Sequence, residues 1–377
     1  MGPSVLSPWD AQVRPRNGWP MPAKSKKKDE KGPVPAVAEH GASVLPAVTV
    51  DSYNLESKDS EGFIGDRTTN GAFRDILDDW RKRLKKVDED PLGKKPSEEM
   101  SKKELDGFLN SDDPEVAGMV HEAIGEFAQE LSGVIRRFLK LKDWKDTERV
   151  VIGGGFRQSQ IGEQVVGRTS VLLKAEGIGV ELMPIRHHSD EAALIGAVHL
   201  VPSWIFAGHD GILAVDIGGT NIRAGIVELN RKNDPNLAKT RVRDVDLWRH
   251  ADDAPGREAA VEKLVAMLRK LVRAAEKEKY RLAPFIGIAC PGLINDDGTI
   301  KRGGQNLPGN WEGAKFNLPQ RISQAVSIHD EHPTAVVMHN DAVVQGLSEA
   351  PFMRDVAHWG ILTIGTGLGN ARFTNCE

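Results

Sequence analysis

Gly211-Ile-Leu-Ala-Val-Asp216-Ile-Gly218-Gly219-Thr220-Asn221-Ile-Arg223-Ala-Gly225 is the stretch that decides the fold. An apolar run carries the chain into an acidic residue, turns on Gly-Gly-Thr and leaves as a second run, which reads as strand, tight turn, strand. The glycines permit a turn where a Cβ would clash, and they let backbone N–H groups approach an anion closely. Asp216, at the end of an apolar strand, is the candidate ligand for Mg²⁺ beside phosphates, because Mg²⁺ keeps several waters and takes only one or two carboxylates. An ordinary hairpin with a glycine-rich turn would give the same residues, so the reading depends on what accompanies it.

Trp359-Gly-Ile-Leu-Thr-Ile-Gly365-Thr366-Gly367-Leu-Gly369-Asn370 is a second apolar run ending in a glycine turn, able to grip the same anion from the other side. Between the two turns lie Ile286-Gly-Ile-Ala-Cys290-Pro291-Gly292, then Asn306-Leu-Pro-Gly309-Asn-Trp311, then Val336-Val-Met-His339-Asn340-Asp341-Ala342. In order and wording this set resembles the bacterial ROK sugar kinases, glucokinase-like members of the actin, hexokinase and Hsp70 fold group. The resemblance runs from residue 211 to the end of the chain. It implies an α/β, two-lobed actin-like (ribonuclease H-like) ATPase fold.

Two further motifs of that family stand ahead of the rest. Val150-Val-Ile-Gly153-Gly154-Gly155-Phe156, followed by Ser189-Asp-Glu-Ala-Ala-Leu-Ile-Gly196-Ala197, resembles the adenosine-binding turn and closing helix that end an ordinary member. The chain therefore reads as a circular permutant, its usual C-terminal portion moved to the front and joined to the Asp216 strand through residues 201–210. Neighbouring surface termini make such a cut inexpensive. A fusion of two unrelated kinase pieces is the competing explanation; against it, each nucleotide motif occurs once. The expected organisation is a tail over 1–50, a second, adenosine-binding lobe over 51–205, a first lobe over 206–355, and a strand over 356–377 returning to the second lobe.

The chain of 377 residues is 40% hydrophobic with a formal net charge of −4. That leaves room for two buried cores and no general attraction to nucleic acid or anionic membrane. No apolar run reaches membrane-spanning length and no signal peptide opens the chain, so a cytoplasmic protein is expected. Cys290 and Cys376 are the only cysteines, too few for a disulfide framework. The zinc-binding cysteine cluster of many ROK proteins is absent, and no structural zinc is expected. The expected partner is a small-molecule sugar, with no nucleic acid and no membrane, and with a homodimer left open.

The first fifty or so residues are rich in Pro, Gly, Ala and Lys, with a basic run from Lys24 to Lys28 and no apolar periodicity, hence a mobile tail. Phe73, Ile76, Leu77, Trp80, Leu84 and Val87 then recur at helical spacing. After a polar gap from Asp88 to Asp113, Asp113-Pro114-Glu115 reads as a capped helix start with proline at the first helical position. Its apolar stripe from Val116 to Phe138 predicts a helix to about Lys142. Ala254 to Lys279 predicts another long helix, with Val261, Leu264, Val265, Leu268, Leu271 and Val272 on one side.

Asp341 follows a strand and Asn340, where a carboxylate can accept the proton of an attacking hydroxyl; a helix cap is its other reading. By resemblance, the activity is transfer of the γ-phosphate of ATP, with Mg²⁺, to a sugar hydroxyl, a hexose such as glucose. Asp341 would be the base and Asp216 the metal ligand. Gly218, Gly219, Thr220, Gly365, Thr366, Gly367 and Gly153, Gly154, Gly155 would hold the nucleotide. Asn306, Asn340, Pro291 and Gly292 would form the sugar site, with Glu312 a further candidate whose bland reading is a surface acid. The family's Glu-x-Gly-His sugar segment is missing after the second turn. Glu39-His40-Gly41 has the residue types in the wrong order, Gly62-Phe-Ile-Gly65-Asp66 has no histidine, and His187 or His188 are weak substitutes. A non-catalytic nucleotide- or sugar-binding scaffold, or a ROK-type sugar-sensing regulator, remains the alternative; the regulator needs an N-terminal helix-turn-helix that the Pro- and Lys-rich start does not suggest.

Overall fold

The computed structural model describes residues 38–60, 62–329 and 333–376. The Lys24–Lys28 run lies outside the described residues. Two five-stranded sheets organise the mixed α/β chain. The first runs, edge to edge, Ala335–Asn340, Leu282–Cys290, Gly211–Ile217, Ile222–Glu228 and Arg241–Trp248. Its central strand, Gly211–Ile217, is buried along its whole length. It pairs antiparallel with Ile222–Glu228 and parallel with Leu282–Cys290, a strand hydrophobic on both faces because both faces are covered.

The second sheet runs Val48–Tyr53, Leu368–Asn375, His358–Ile364, Arg149–Gly153 and Glu181–Pro184. The strand that ends at Gly153 lies parallel to the strand that leads to Gly365, in register from Trp359 opposite Arg149 to Thr363 opposite Gly153. The turn after Gly153 depends on this closeness. Gly154 sits at φ +83, and a Cβ there would lie 2.4 Å from the Ile364 carbonyl oxygen, so only glycine fits.

Helix 114–140 forms as its local signals direct. Asp113 accepts from the Glu115 N–H (2.9 Å), Pro114 opens the helix, and the stripe from Val116 to Phe138 is buried. It packs on helices Asn70–Leu84 and Gln160–Ala175. The first of these stops at Leu84, leaving Val87 89% exposed rather than on the stripe. The expected gap from Asp88 to Asp113 contains a helix, Lys102–Leu109, opened by a reciprocal capping box between Ser101 and Glu104. Arg81, only 6% exposed, gathers this segment by contacts with Asp78, Asp90, Ser97 and the carbonyls of Gly93 and Lys95. On the first sheet, helix Arg257–Lys277 buries Val261, Leu264, Leu268, Leu271 and Val272 as its period requires.

The expected tail is shorter than 1–50. Gly41 N–H donates to the Met338 carbonyl (3.0 Å) and His40 Nδ1 accepts from Met338 N–H (3.1 Å). Residues 40 and 41 thereby cover the free edge of the first sheet. Val48–Tyr53 then pairs with Leu368–Asn375 in the second. Between the sheets, helices Ser189–Gly196 and Asp341–Leu347 pack together so closely that a Cβ on Gly196 would lie 1.7 Å from the Val344 carbonyl oxygen.

Candidate active site

Both glycine turns open on one cleft of about 540 Å³, lined by Gly218, Gly219, Thr220, Thr366, Gly367, Pro291, Gly292, Asn306 and Asp341 among others. Residues separated by well over a hundred positions are thus brought together by the two sheets. The first turn is closed by Gly218 N–H on the Asn221 carbonyl (2.8 Å) and the second by Gly365 N–H on the Gly367 carbonyl (3.0 Å). The first is also tied from outside: His250 Nε2 lies 2.8 Å from the Gly218 carbonyl oxygen, and Ala251 N–H donates to the Thr220 carbonyl. Asn306 Cβ would be 3.1 Å from a Cβ on Gly219, so the Asn306 loop abuts the first turn directly.

Asp216 stands opposite Arg223 across the hairpin, which explains their ion pair of 3.1 Å. The same guanidinium reaches Asp190 at 2.5 Å, at the start of helix Ser189–Gly196. Burial raises the Asp216 pKa against the opposing pull of Arg223. The structure therefore shows Asp216 held by an arginine, a contact the sequence reading did not include, although the Asp-Ile-Gly-Gly-Thr-Asn-Ile-Arg spacing across a tight turn contains it.

Asn340 and Asp341 divide the roles that the sequence left to one residue. Asn340, 1% exposed, is the N-cap of helix Asp341–Leu347: its Oδ1 accepts from Ala342 N–H (3.0 Å) and Val343 N–H (3.3 Å), and its Nδ2 donates to the Gly292 carbonyl (3.1 Å). Both ends of the Asn340 amide are thus engaged within the protein, with one N–H of Nδ2 left over. Asp341 lines the cleft, with one oxygen accepting from Ala342 N–H at 2.9 Å. Burial, and then the nearby Asp216 carboxylate, push its pKa up to about 6. A carboxylate with a pKa near the working pH, at a cleft, has the signature of a proton acceptor.

The other candidates lie outside the lining of this cleft. Glu312 is not among the cleft-lining residues; its Oε1 accepts from Gly304 N–H (2.9 Å) and braces the loop beside Asn306. His188 caps helix Ser189–Gly196, and His187 lies by the Phe352 ring. The Gly153–Gly155 turn leads to a separate, smaller cavity of about 80 Å³ beside Asn70, Lys102 and Phe156, where Lys102 Nζ donates to the Gly155 carbonyl (2.5 Å). Residues that the sequence did not nominate also line the main cleft, namely Asn54 to Ser57 and Phe63 to Asp66.

The ROK family model matches residues 212–377. The matched stretch contains both glycine turns, Asn306 and Asp341, while Asn54 to Asp66 and Gly153 to Gly155 lie ahead of it. No curated protein matches the chain. Among solved structures, an inorganic polyphosphate/ATP-glucomannokinase from Arthrobacter sp. strain KM is 22% identical, with a TM-score of 0.33, over 44% of this chain and 58% of that one. A Listeria monocytogenes protein described as a candidate N-acetylmannosamine kinase is 25% identical, with a TM-score of 0.31, over 44% and 47%. An exopolyphosphatase-like protein is 18% identical, with a TM-score of 0.19, over 47% and 51%. The alignments span about half the length of each of these structures.

Among the described residues no three His, Cys, Asp or Glu side chains gather as a metal cage. Asp216 and Asp341 lie near enough for one carboxylate to raise the pKa of the other, and Asp216, behind the cleft lining, is held by Arg223. Among the described residues no helix is long and apolar enough to cross a membrane.

Proposed function

We propose that the chain is an ATP-dependent sugar kinase, transferring the γ-phosphate to a hydroxyl of a hexose such as glucose, in the cytoplasm. The observation that carries this reading is Asp341: a carboxylate with a pKa raised to about 6, opening on a cleft that two glycine turns and Asn306 also line. The acceptor hydroxyl would lose its proton to Asp341 as its oxygen bonds to the γ-phosphorus, while the bond from phosphorus to the β,γ-bridging oxygen breaks and ADP leaves. Positioning and charge neutralisation supply most of the rate in such transfers. Backbone amides of Gly218 to Thr220 and Gly365 to Gly367 would hold the phosphates, and Asn306, Pro291 and Gly292 would bound the sugar. Gly153 to Gly155 would face the adenosine outside the main cleft, since their strand pairs with the one that leads to Gly365 and Asn70, beside them, donates its N–H to the Gly365 carbonyl. Asp216 is the residue fitted to hold Mg²⁺, which when bound would offset phosphate charge. Arg223, now on Asp216 and Asp190, is close enough to share that task.

The chain order is best accounted for as a circular permutation of a two-lobed actin-like fold. What supports this is the in-register parallel pairing of the Gly153 strand with the Gly365 strand, together with Val48–Tyr53 pairing beside them. Two unrelated fused pieces would have no reason to share one sheet. The test is ADP release across a panel of hexoses, amino sugars and polyols. Acceptor-dependent ADP release is expected; ATP binding without turnover on any acceptor would refute the kinase and favour a scaffold.

A further inference from the structure

The connection after Val48–Tyr53 lies outside the stretch that the ROK family model matches, yet Asn54, Leu55, Glu56 and Ser57 border the cleft. One residue holds it there. The Asn370 carbonyl accepts from Asn54 N–H (2.9 Å), its Oδ1 accepts from Leu55 N–H (2.9 Å), and its Nδ2 donates to the Leu55 carbonyl (3.0 Å). Asn370 is 2% exposed and follows Gly369 directly, so the residue that fixes this loop also continues the second glycine turn. On the opposite side the loop meets the chain after Cys290. Tyr53 Oη accepts from Ile294 N–H (3.3 Å), Glu56 Oε2 lies 3.8 Å from an Arg302 guanidinium nitrogen, and Asn54 Nδ2 would be 3.2 Å from a Cβ on Gly303.

Charge narrows what such a loop could admit. The charged residues lining the cleft are Glu56, Asp66, Asp341 and Arg223; Arg223 is already paired twice, and Glu56 makes one long, solvent-exposed pair with Arg302. A carboxylate-bearing acceptor would share the cleft with three carboxylates, whereas a hydroxyl or ammonium group would meet acceptors for its protons.

We propose that Asn54 to Ser57 is the acceptor-recognition loop of this chain, positioned by Asn370, and that Glu56 restricts the acceptor to neutral or cationic polyols. The proposal rests on the sugar-kinase reading for its chemistry. It answers the absence of a Glu-x-Gly-His segment with a loop from the other end of the chain.

The full chain would be titrated calorimetrically with glucose, glucosamine, mannitol and glucuronate, and the same four assayed as acceptors. Glucuronate should be the weakest ligand, and Glu56→Gln should narrow its gap from glucosamine by about tenfold, the scale of one hydrogen bond to a charged group. Asn370→Asp keeps the acceptor for Leu55 N–H but removes the donor to its carbonyl. It should raise the Kd of the bound polyol by about tenfold; in Glu56→Gln, away from the glycine turns, the KM for ATP should stay unchanged while the acceptor affinities shift, a split that general loosening of the fold would not give. Should Asn370→Asp not fold, Glu56→Gln, at an exposed position, carries the test with Asn54→Ala. Unaltered polyol affinity in both of those variants, or glucuronate as the tightest ligand, would overturn the proposal, as would a wild-type chain that binds none of the four. A wild type that binds a polyol but releases no ADP would overturn the kinase reading alone, leaving the loop to be judged by the affinities.

Discussion

Replacing Asp341 by Asn should make the protein more stable and less active at once. Burial and Asp216 lift the Asp341 pKa from 3.8 to about 6. A folded-state pKa above the unfolded one means that the carboxylate penalises the fold once ionised. Stability is complete below the unfolded value and is lost as pH rises through the folded value. The difference is about two pH units, or about 3 kcal/mol at 1.36 kcal/mol per unit. The amide introduced by Asp341→Asn would retain the acceptor for Ala342 N–H and carry no charge. With an unfolding entropy of about 2.1 cal/mol/K per residue, the variant should gain about 4 °C in Tm near pH 8 and almost nothing near pH 4. Its kcat should fall by about two to four orders of magnitude, and wild-type activity should rise with pH through about 6 with a one-proton slope. Scanning calorimetry at the two pH values, with initial-rate kinetics, checks both halves. The same Tm change at both values would show that Asp341 is not held above its ordinary pKa, and an unchanged kcat would remove it as the base.

Arg223→Ala leaves the buried Asp216 without its partner; urea unfolding near neutral pH should show a loss of about 3 to 5 kcal/mol, and a loss below about 1 would mean that solvent screens the pair. Gly196→Ala drives a Cβ onto the Val344 carbonyl, so a loss of at least about 1 to 3 kcal/mol is expected in the same assay; a variant as stable as the parent would mean that the two helices separate at little cost. Chelation of Mg²⁺ should abolish ADP release and added Mg²⁺ should restore it, while Asp216→Asn should raise the Mg²⁺ needed for half-maximal rate by about tenfold or more; an identical Mg²⁺ titration curve would place the metal on other groups.

The two glycine turns were legible because their chemistry is local: a turn that needs glycine declares itself within a few residues. The pairing that brings them together was not written locally, and only the repertoire of motifs pointed to it. Asn340 and Glu312 show the limit. An amide or carboxylate beside a site reads as a ligand, and nothing local in the sequence shows that it also holds the Gly292 carbonyl or the Gly304 N–H. Residues 38–50 read as tail because their partners, Met338 and the strand Leu368–Asn375, lie some three hundred positions away and impose no period on the sequence. Asn54 to Ser57 carry no motif at all; their place follows from Asn370. The Ser101-x-x-Glu104 capping box, by contrast, is written locally, inside a stretch whose polar composition predicts a gap.

The pairing of Val48 with Asn375 has a consequence for how the chain is made. On the ribosome, Val48–Tyr53, Arg149–Gly153 and Glu181–Pro184 emerge long before the two strands that belong between the first and second of them. Until Trp359 to Phe373 arrive, the strand Arg149–Gly153 has an open hydrogen-bonding edge and its apolar residues lack one neighbour. The Asp216 sheet, by contrast, is contiguous in sequence from Gly211 to Asn340 and can close while synthesis is still under way. Nascent chains should therefore acquire protease resistance from the middle outward, and the interval before the last strands dock is when the exposed edge is open to pairing with other molecules.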